Sequence, residues 1–167
     1  MMDKRMEDIL KGAILLEHKG KALYTSVLQT TEIPEIRDLF RLLAEEEDKH
    51  IAVLKKQYSR LHKGQGFDLE DLDRTEFDVS DKVLTKDLVE SINGAGYEAA
   101  VISAALDFEK GAVKFYGENA EKAQAEEEKE LFLWLHRWET THLDMLAGLD
   151  RDIREQIWYD NSFWPLD

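Results

Sequence analysis

Two copies of a Glu-x-x-His motif are the residues of this chain most suited to chemistry: Glu47 with His50, and Glu139 with His142. A glutamate and a histidine three positions apart lie on one side of an α-helix, so both side chains can reach one point. Each pair lies in an apolar stretch with helical periodicity, where burying a carboxylate and an imidazole is costly unless their charge is neutralised. A bound metal ion would neutralise it, so both pairs are candidate metal ligands.

The two motifs belong to an internal repeat. Both members of the first motif recur 92 residues later, and the same offset relates Glu17 to Glu109 and Tyr24 to Tyr116. One such motif is a weak signal, but two at a common offset, each preceded by a glutamate 30 residues earlier, are specific. We infer a duplicated helix pair in which each half supplies three ligands. The candidate ligands, which are also the candidate catalytic residues, are Glu17, Glu47, His50, Glu109, Glu139 and His142.

These six side chains favour a site for two metal ions. Four carboxylates in a low-dielectric interior repel one another, and losing their hydration adds to the cost. Two divalent ions balance the four negative charges, and neutral histidines complete the coordination. Glu47 and Glu139 could then bridge both ions, while Glu17 and Glu109 each bind one. This is the ligand set of di-iron carboxylate bundles, so we expect two iron ions, although such donors also accept manganese or zinc.

Composition limits the class of protein. The 167 residues suffice for one domain, 1–167, with a substantial core. A net charge of −14 argues against binding to nucleic acid or to anionic membrane surfaces. No apolar run reaches membrane-spanning length and no signal-peptide core is present, so we expect a cytoplasmic protein. The chain has no cysteine, which excludes disulfides, iron–sulfur clusters and thiolate metal sites.

The hydrophobic pattern predicts an all-α, ferritin-like four-helix bundle. Apolar residues at three- and four-residue spacing predict four long helices, each carrying its candidate ligands near its middle. A glycine-containing acidic segment, 62–84, is too long for a tight turn and predicts a crossover between the second and third of them. A short helical turn is expected at 85–93. The predicted long helices span about 4–31, 34–61, 97–123 and 125–158.

Three further features leave alternatives open. Of the acidic run from Glu45 to Asp48, only Glu47 is in register with the inward stripe, so its neighbours are expected to be solvated. Tyr24 and Tyr116 lie two turns after Glu17 and Glu109 and either hydrogen-bond to ligands, act in redox chemistry, or pack in the core. The aromatic C-terminal tail, 158–167, either folds back on the bundle or joins a subunit interface, and we expect a homodimer or higher homo-oligomer.

On these residues the chain resembles the rubrerythrin-like branch of the ferritin-like superfamily, over about residues 4–157. The resemblance implies a carboxylate-bridged di-iron centre that reacts with hydrogen peroxide or dioxygen. Two departures matter. Typical rubrerythrins carry a rubredoxin domain with four cysteines, so here electrons must come from a separate donor, such as a rubredoxin-like protein or ferrous iron. They also carry a glutamate one turn after the third-helix ligand, where this chain has Ala112, so its ligand set is closer to ferritin and bacterioferritin ferroxidase centres.

Three functions follow as hypotheses. The first is a di-iron oxidoreductase of peroxidase or ferroxidase type. The second is an iron storage or delivery protein without catalytic turnover, which predicts a cage-sized oligomer that accumulates iron. The third is a metal-free helical interaction module whose aromatic tail binds a partner, and whose melting temperature a chelator would leave unchanged.

Overall fold

Helices account for nearly all of the chain that can be described. The computed structural model describes residues 3–70, 72, 86–92 and 96–159, and within these ranges it contains no β-strand. This confirms an all-α, ferritin-like bundle. The helices, numbered in chain order, are α1 (Lys4–Thr30), α2 (Pro34–His62), the short α3 (Lys86–Ser91), α4 (Tyr97–Glu121) and α5 (Glu126–Tyr159).

Local chemistry places the ends of these helices close to where the sequence predicts them. Pro34 occupies the first turn of α2, where its fixed φ suits a helix and its missing N–H breaks no hydrogen bond. Three glutamates, Glu126 to Glu128, open α5, where negative charge interacts favourably with the helix dipole. Glu128 is itself buried and accepts two hydrogen bonds of 2.8 Å from the guanidinium of Arg5. That pair ties the start of α5 to the start of α1.

The helices form two antiparallel pairs, α1 with α2 and α4 with α5, and α1 also contacts α4. Their apolar side chains fill two clusters at opposite ends of the bundle. One includes Phe40, Ile102 and Leu146, whereas the other includes Leu10 and Phe132. Each long helix passes from one cluster to the other, and its polar ligand candidates lie at the level between the two.

The connection from α2 to α4 must travel the length of the bundle. Leu72, just beyond α2, is buried in the cluster that contains Leu54, whereas Leu88 in α3 is buried in the opposite cluster. This agrees with the predicted crossover, although residues 71 and 73–85 of it lie outside the described part of the chain. The side chain of Gln57 fixes its start by bonding both to Asp68 O (2.7 Å) and Asp68 N (2.9 Å).

Two details of α2 differ from expectation. Glu46 is buried, with 3% of its surface exposed, although its position in the acidic run predicted a solvated side chain. Its carboxylate is satisfied by Lys49 Nζ at 2.6 Å, one turn further along. Near the end of α2, the three- and four-residue spacing favours Tyr58 and Leu61 as inward positions, yet both are half-buried while Gln57 is buried. Gln57 is held by its hydrogen bonds to Asp68 in the crossover.

Three predictions remain untested. Most of the aromatic tail, 160–167, lies outside the described residues, and Trp158 within α5 is 66% exposed. The single-domain boundaries and the homo-oligomer also stay predictions. No helix in the described ranges combines the length and the apolar character needed to cross a lipid bilayer, and the cytoplasmic location stays a prediction.

Candidate metal centre

All six predicted ligands meet in the middle of the bundle. Each is at most 1% exposed, and their side chains form two groups whose potential ligand atoms lie within 4.8 Å of one another. Glu47 and Glu139 belong to both groups, as the bridging arrangement requires. The first group is Glu17, Glu47, His50 and Glu139, and the second is Glu47, Glu109, Glu139 and His142.

In the first group the carboxylates surround Nδ1 of His50. This nitrogen lies 3.1 Å from Glu17 Oε2, 2.9 Å from Glu139 Oε1 and 3.8 Å from Glu47 Oε2. The three carboxylates come from α1, α5 and α2, so the ring nitrogen is the point at which three helices converge. Such convergence on one nitrogen is typical of a ligand atom that faces a shared ion.

The second group repeats this arrangement on the other pair of helices. Nδ1 of His142 lies 3.5 Å from Glu109 Oε1 and 3.3 Å from Glu139 Oε2. The imidazoles of His50 and His142 are stacked, with ring centroids 5.9 Å apart and planes inclined by 24°. Glu139 therefore offers one oxygen to each histidine, which is the behaviour expected of a bridging carboxylate.

The two tyrosines of the repeat bond across the halves. Tyr24 on α1 donates its hydroxyl hydrogen to Glu109 Oε1 on α4, and Tyr116 on α4 donates to Glu17 Oε1 on α1. Both tyrosines are fully buried. Of the alternatives raised by the sequence, the structure therefore shows hydrogen bonding to ligand candidates together with core packing. In Glu17 the bond occupies Oε1 and leaves Oε2 facing His50. In Glu109 the oxygen that accepts from Tyr24 is also the one nearest His142, and Oε2 carries no bond from the tyrosine.

Burial and crowding shift the protonation equilibria of the metal-free site. Burial and then the charge of Glu139 raise the pKa of Glu47 well above its usual range and that of Glu109 to about 7. Burial by itself would lower the pKa of both histidines. The neighbouring carboxylates have the larger combined effect, and they raise the pKa of His142 to about 9 and the pKa of His50 well above its usual value. The histidines in turn hold the pKa of Glu139 below its usual range despite burial. In the metal-free site, bound protons therefore neutralise part of the negative charge that metal ions would otherwise neutralise.

Among the residues that the structure describes, several buried polar atoms of the site have no hydrogen-bond partner. These include both carboxylate oxygens of Glu47, Oε2 of Glu109 and Nε2 of His50. An unsatisfied buried carboxylate costs stability, and natural proteins retain such groups at functional sites. The unsatisfied oxygens belong to Glu47, which both groups share, and to Glu109, which belongs to the second group only. Oxygens in these places could bind two metal ions, so the residues fit such a pair. The chain contains carboxylate and histidine groups that could hold metal.

Sequence reasoning missed the aromatic wall beside the first group. The indole of Trp134 packs edge-on against the imidazole of His50, with ring centroids 5.5 Å apart. The ring centroid of Trp138 lies 6.1 Å from that of His50, 6.5 Å from that of His142 and 6.2 Å from that of Trp134. The signal that could have found this wall is the spacing: Trp138 lies four residues before His142, and Trp134 a further turn back.

Gly20 allows α1 to approach the site closely. A Cβ atom at this position would lie 2.6 Å from Cε1 of Phe108 and 3.3 Å from Cδ of Glu47. The position one repeat later is Ala112, which is buried without such a clash. The glycine is therefore required by packing beside Glu47, which both groups share, rather than by backbone conformation.

Comparison with known proteins agrees with this geometry. The sequence model of the family described as Rubrerythrin matches residues 8–150. A solved structure described as a hypothetical protein from Pyrococcus furiosus is similar in fold, with a TM-score of 0.63 and 26% sequence identity. The alignment covers 90% of this chain and 91% of that one. No curated protein matches the chain.

Proposed function

The chain belongs to the rubrerythrin family, and on that basis we propose that it is a di-iron oxidoreductase that reduces hydrogen peroxide or dioxygen. The observation that carries this proposal is the pair of overlapping four-residue groups that share Glu47 and Glu139. A dinuclear site needs shared ligands, whereas a salt-bridged core has no need of two carboxylates common to two clusters. Oxygen donors with one imidazole per ion suit iron, and manganese or zinc could bind as well.

Each residue has a definite task in this proposal. Glu47 and Glu139 would bridge the ions, Glu17 with His50 would complete one coordination sphere, and Glu109 with His142 the other. When bound, two iron ions supply two electrons to the oxidant. These assignments also make the six residues the catalytic set, because they surround the position at which the oxidant would react.

The tyrosines fix the terminal carboxylates. Burial and the neighbouring carboxylates raise the pKa of both Tyr24 and Tyr116 well above the usual range, so each hydroxyl keeps its proton and acts as a donor. Donation to one oxygen of Glu109 or Glu17 leaves the other oxygen for the ion. Outer-shell hydrogen bonds of this kind orient ligands and typically change metal affinity 10- to 100-fold.

We propose that the electrons come ultimately from a separate donor, since the given residues include no cysteine with which to build a rubredoxin-type centre. We propose a rubredoxin-like protein or ferrous iron in this role. With ferrous iron as donor, the reaction would be that of a ferroxidase, and with a protein donor it would be that of a peroxidase.

The test starts from metal-free protein reconstituted anaerobically with ferrous iron. We expect two iron ions to bind per chain. On mixing with hydrogen peroxide, both should be oxidised rapidly, and stopped-flow absorbance would monitor this oxidation. Glu47→Ala and Glu139→Ala should abolish both results. Asp107→Ala is the matched control, because Asp107 lies on α4 near Glu109 but its side chain is 82% exposed. Fewer than one ion per chain in the wild type, or variants that bind iron normally, would refute the proposal.

The same samples separate turnover from storage. A storage protein would elute as a cage-sized oligomer on gel filtration and would accumulate iron well beyond two ions per chain. An oxidoreductase would stop at two and would cycle repeatedly when a reductant is added. Iron accumulation without cycling would favour storage.

A further inference from the structure

The repeat is broken beside the site at two aromatic positions. Trp134 and Trp138 on α5 correspond, at the offset of 92 residues, to Leu42 and Glu46 on α2. Leu42 is only half-buried and Glu46 is buried. The bundle therefore folds around one half of the site without aromatic side chains at these positions. Packing of the bundle therefore does not by itself explain the two indoles on α5.

The two indoles connect a ligand candidate to the surface. Trp134 and Trp138 both contact the ring of His50, and they contact each other edge-on with centroids 6.2 Å apart. Trp134 is 4% exposed and Trp138 is 8% exposed, whereas His50 is 1% exposed. A continuous aromatic path therefore runs from the proposed metal ligand to the edge of the core, where Trp138 keeps 8% of its surface exposed.

We propose that Trp134 and Trp138 form an electron-donating pair for the metal site. The proposal rests on the function proposed above. Peroxide needs two electrons and two protons to become two water molecules. If a site held a single ferrous ion, that ion would supply one electron, the indole pair the other, and solvent the two protons. The ferrous ion would become ferric and one indole would become a radical cation, which would then release its N–H proton. A small reductant, such as a thiol or ascorbate, then returns the missing electron to the indole at the surface.

The buried tyrosines are less suited to this task. Tyr24 and Tyr116 are closer to the carboxylates, but both are 0% exposed. A radical formed on either of them would have no direct contact with a reductant in solution. Trp138 keeps 8% of its surface exposed, so an electron taken from the indole pair could be replaced at that edge without opening the bundle.

The experiment uses full-length protein loaded with one equivalent of ferrous iron and mixed with hydrogen peroxide without a reductant. Freeze-quench electron paramagnetic resonance should detect a tryptophan radical. Mass spectrometry after reaction in air should locate oxygenated tryptophan at positions 134 and 138. Oxidation should depend on iron and should spare Trp158, which is 66% exposed and lies near the end of α5. Adventitious oxidation by bulk peroxide would instead follow exposure and modify Trp158 first.

Substitution distinguishes electron donation from packing. Trp138→Phe combined with Trp134→Phe should remove the radical, whereas Trp138→Tyr in the Trp134→Phe background should restore it with a tyrosyl spectrum. A purely structural role would treat Phe and Tyr alike. Trp158→Phe is the matched control and should leave the signal unchanged.

Two kinds of failure can be told apart. If the wild type binds no iron or consumes no peroxide, the proposed function fails. If it binds iron and consumes peroxide but forms no tryptophan radical, or forms a radical that Tyr24→Phe or Tyr116→Phe removes, the electron-donating pair is wrong while the proposed function stands.

Discussion

The two halves of this chain agree at the centre of the bundle and differ immediately around it. The pair α1 and α2 and the pair α4 and α5 supply the same ligand types at the same heights, and each supplies a tyrosine that bonds to a glutamate of the other half. Outside that level, Trp134 and Trp138 face one half, and Leu42 and Glu46 occupy the matching positions in the other. A shared metal site constrains its ligands in pairs, whereas the surrounding packing is free to diverge.

The largest expected effect is the loss of bound metal when a carboxylate shared by both groups is removed, compared with a carboxylate that belongs to one group. Glu47→Ala or Glu139→Ala should remove both metal ions, because each carboxylate belongs to both groups. Glu17→Ala or Glu109→Ala should remove one ion and leave the other half able to bind. Metal content per chain, measured by inductively coupled plasma mass spectrometry after desalting, distinguishes the two outcomes. Equal losses in all four variants would show that the halves do not bind separate ions.

The second prediction concerns pH and the metal-free chain. The pKa of Glu109 is raised to about 7 and that of His142 to about 9. A raised pKa contributes stability while the group is protonated, and that contribution is lost as pH rises through the folded-state value. Glu139, whose pKa is lowered, acts in the opposite direction only on acidification below its usual range.

Unfolding free energy of the metal-free chain should therefore fall between pH 4.5 and 9, by on the order of a few kcal/mol. Metal binding releases these protons, so the stabilisation by metal should rise over the same range. Urea titration of both forms at several pH values tests this. A metal-free chain that becomes more stable toward pH 9 would contradict the account.

The third prediction concerns Gly20, where a Cβ atom would clash, although its counterpart in the repeat, Ala112, carries one in the buried core. Gly20→Ala places a methyl group 2.6 Å from the ring of Phe108, and overpacking of this kind costs about 1–3 kcal/mol. Gly111→Ala is the matched control, because it lies exposed on α4 with nothing within 4 Å. That change should stabilise the helix by about 0.5–1 kcal/mol. Thermal unfolding measures both.

A double variant checks the assigned cause. Combining Gly20→Ala with Phe108→Leu should recover part of the lost stability, since a smaller side chain makes room for the methyl group. If Gly20→Ala is neutral by itself, α1 does not approach the site as closely as described.

The smallest effect is expected from the crossed tyrosines. Tyr116→Phe should weaken the ion held by Glu17, and Tyr24→Phe the ion held by Glu109, each by about 10- to 100-fold in affinity. Competition with a chromophoric chelator measures the two affinities in each variant. The effect should be similar for the two tyrosines, since the repeat is preserved here. A loss confined to one variant would show that the halves differ at the ligands as well as around them.

Much of this architecture could be read from the sequence because burial follows periodicity. Three- and four-residue spacing from Leu10 to Val27 predicts one inward face for α1, and the positions on that face are buried. The shared offset of 92 residues identified all six ligand candidates. The crossing of the tyrosine bonds could not be predicted, because it depends on how α1 and α4 face each other. Nor could the burial of Glu46, which depends on a contact with Lys49, or the indole wall, whose importance comes from proximity to His50 across two helices.

Anomalous diffraction at the iron edge, from a crystal of protein reconstituted with ferrous iron, tests the central claim most directly. We predict two peaks per chain, one at coordination distance from Glu17 and His50 and the other from Glu109 and His142. Glu47 and Glu139 should reach both peaks. A single peak, or iron bound elsewhere on the acidic surface with the six side chains unliganded, would contradict the account.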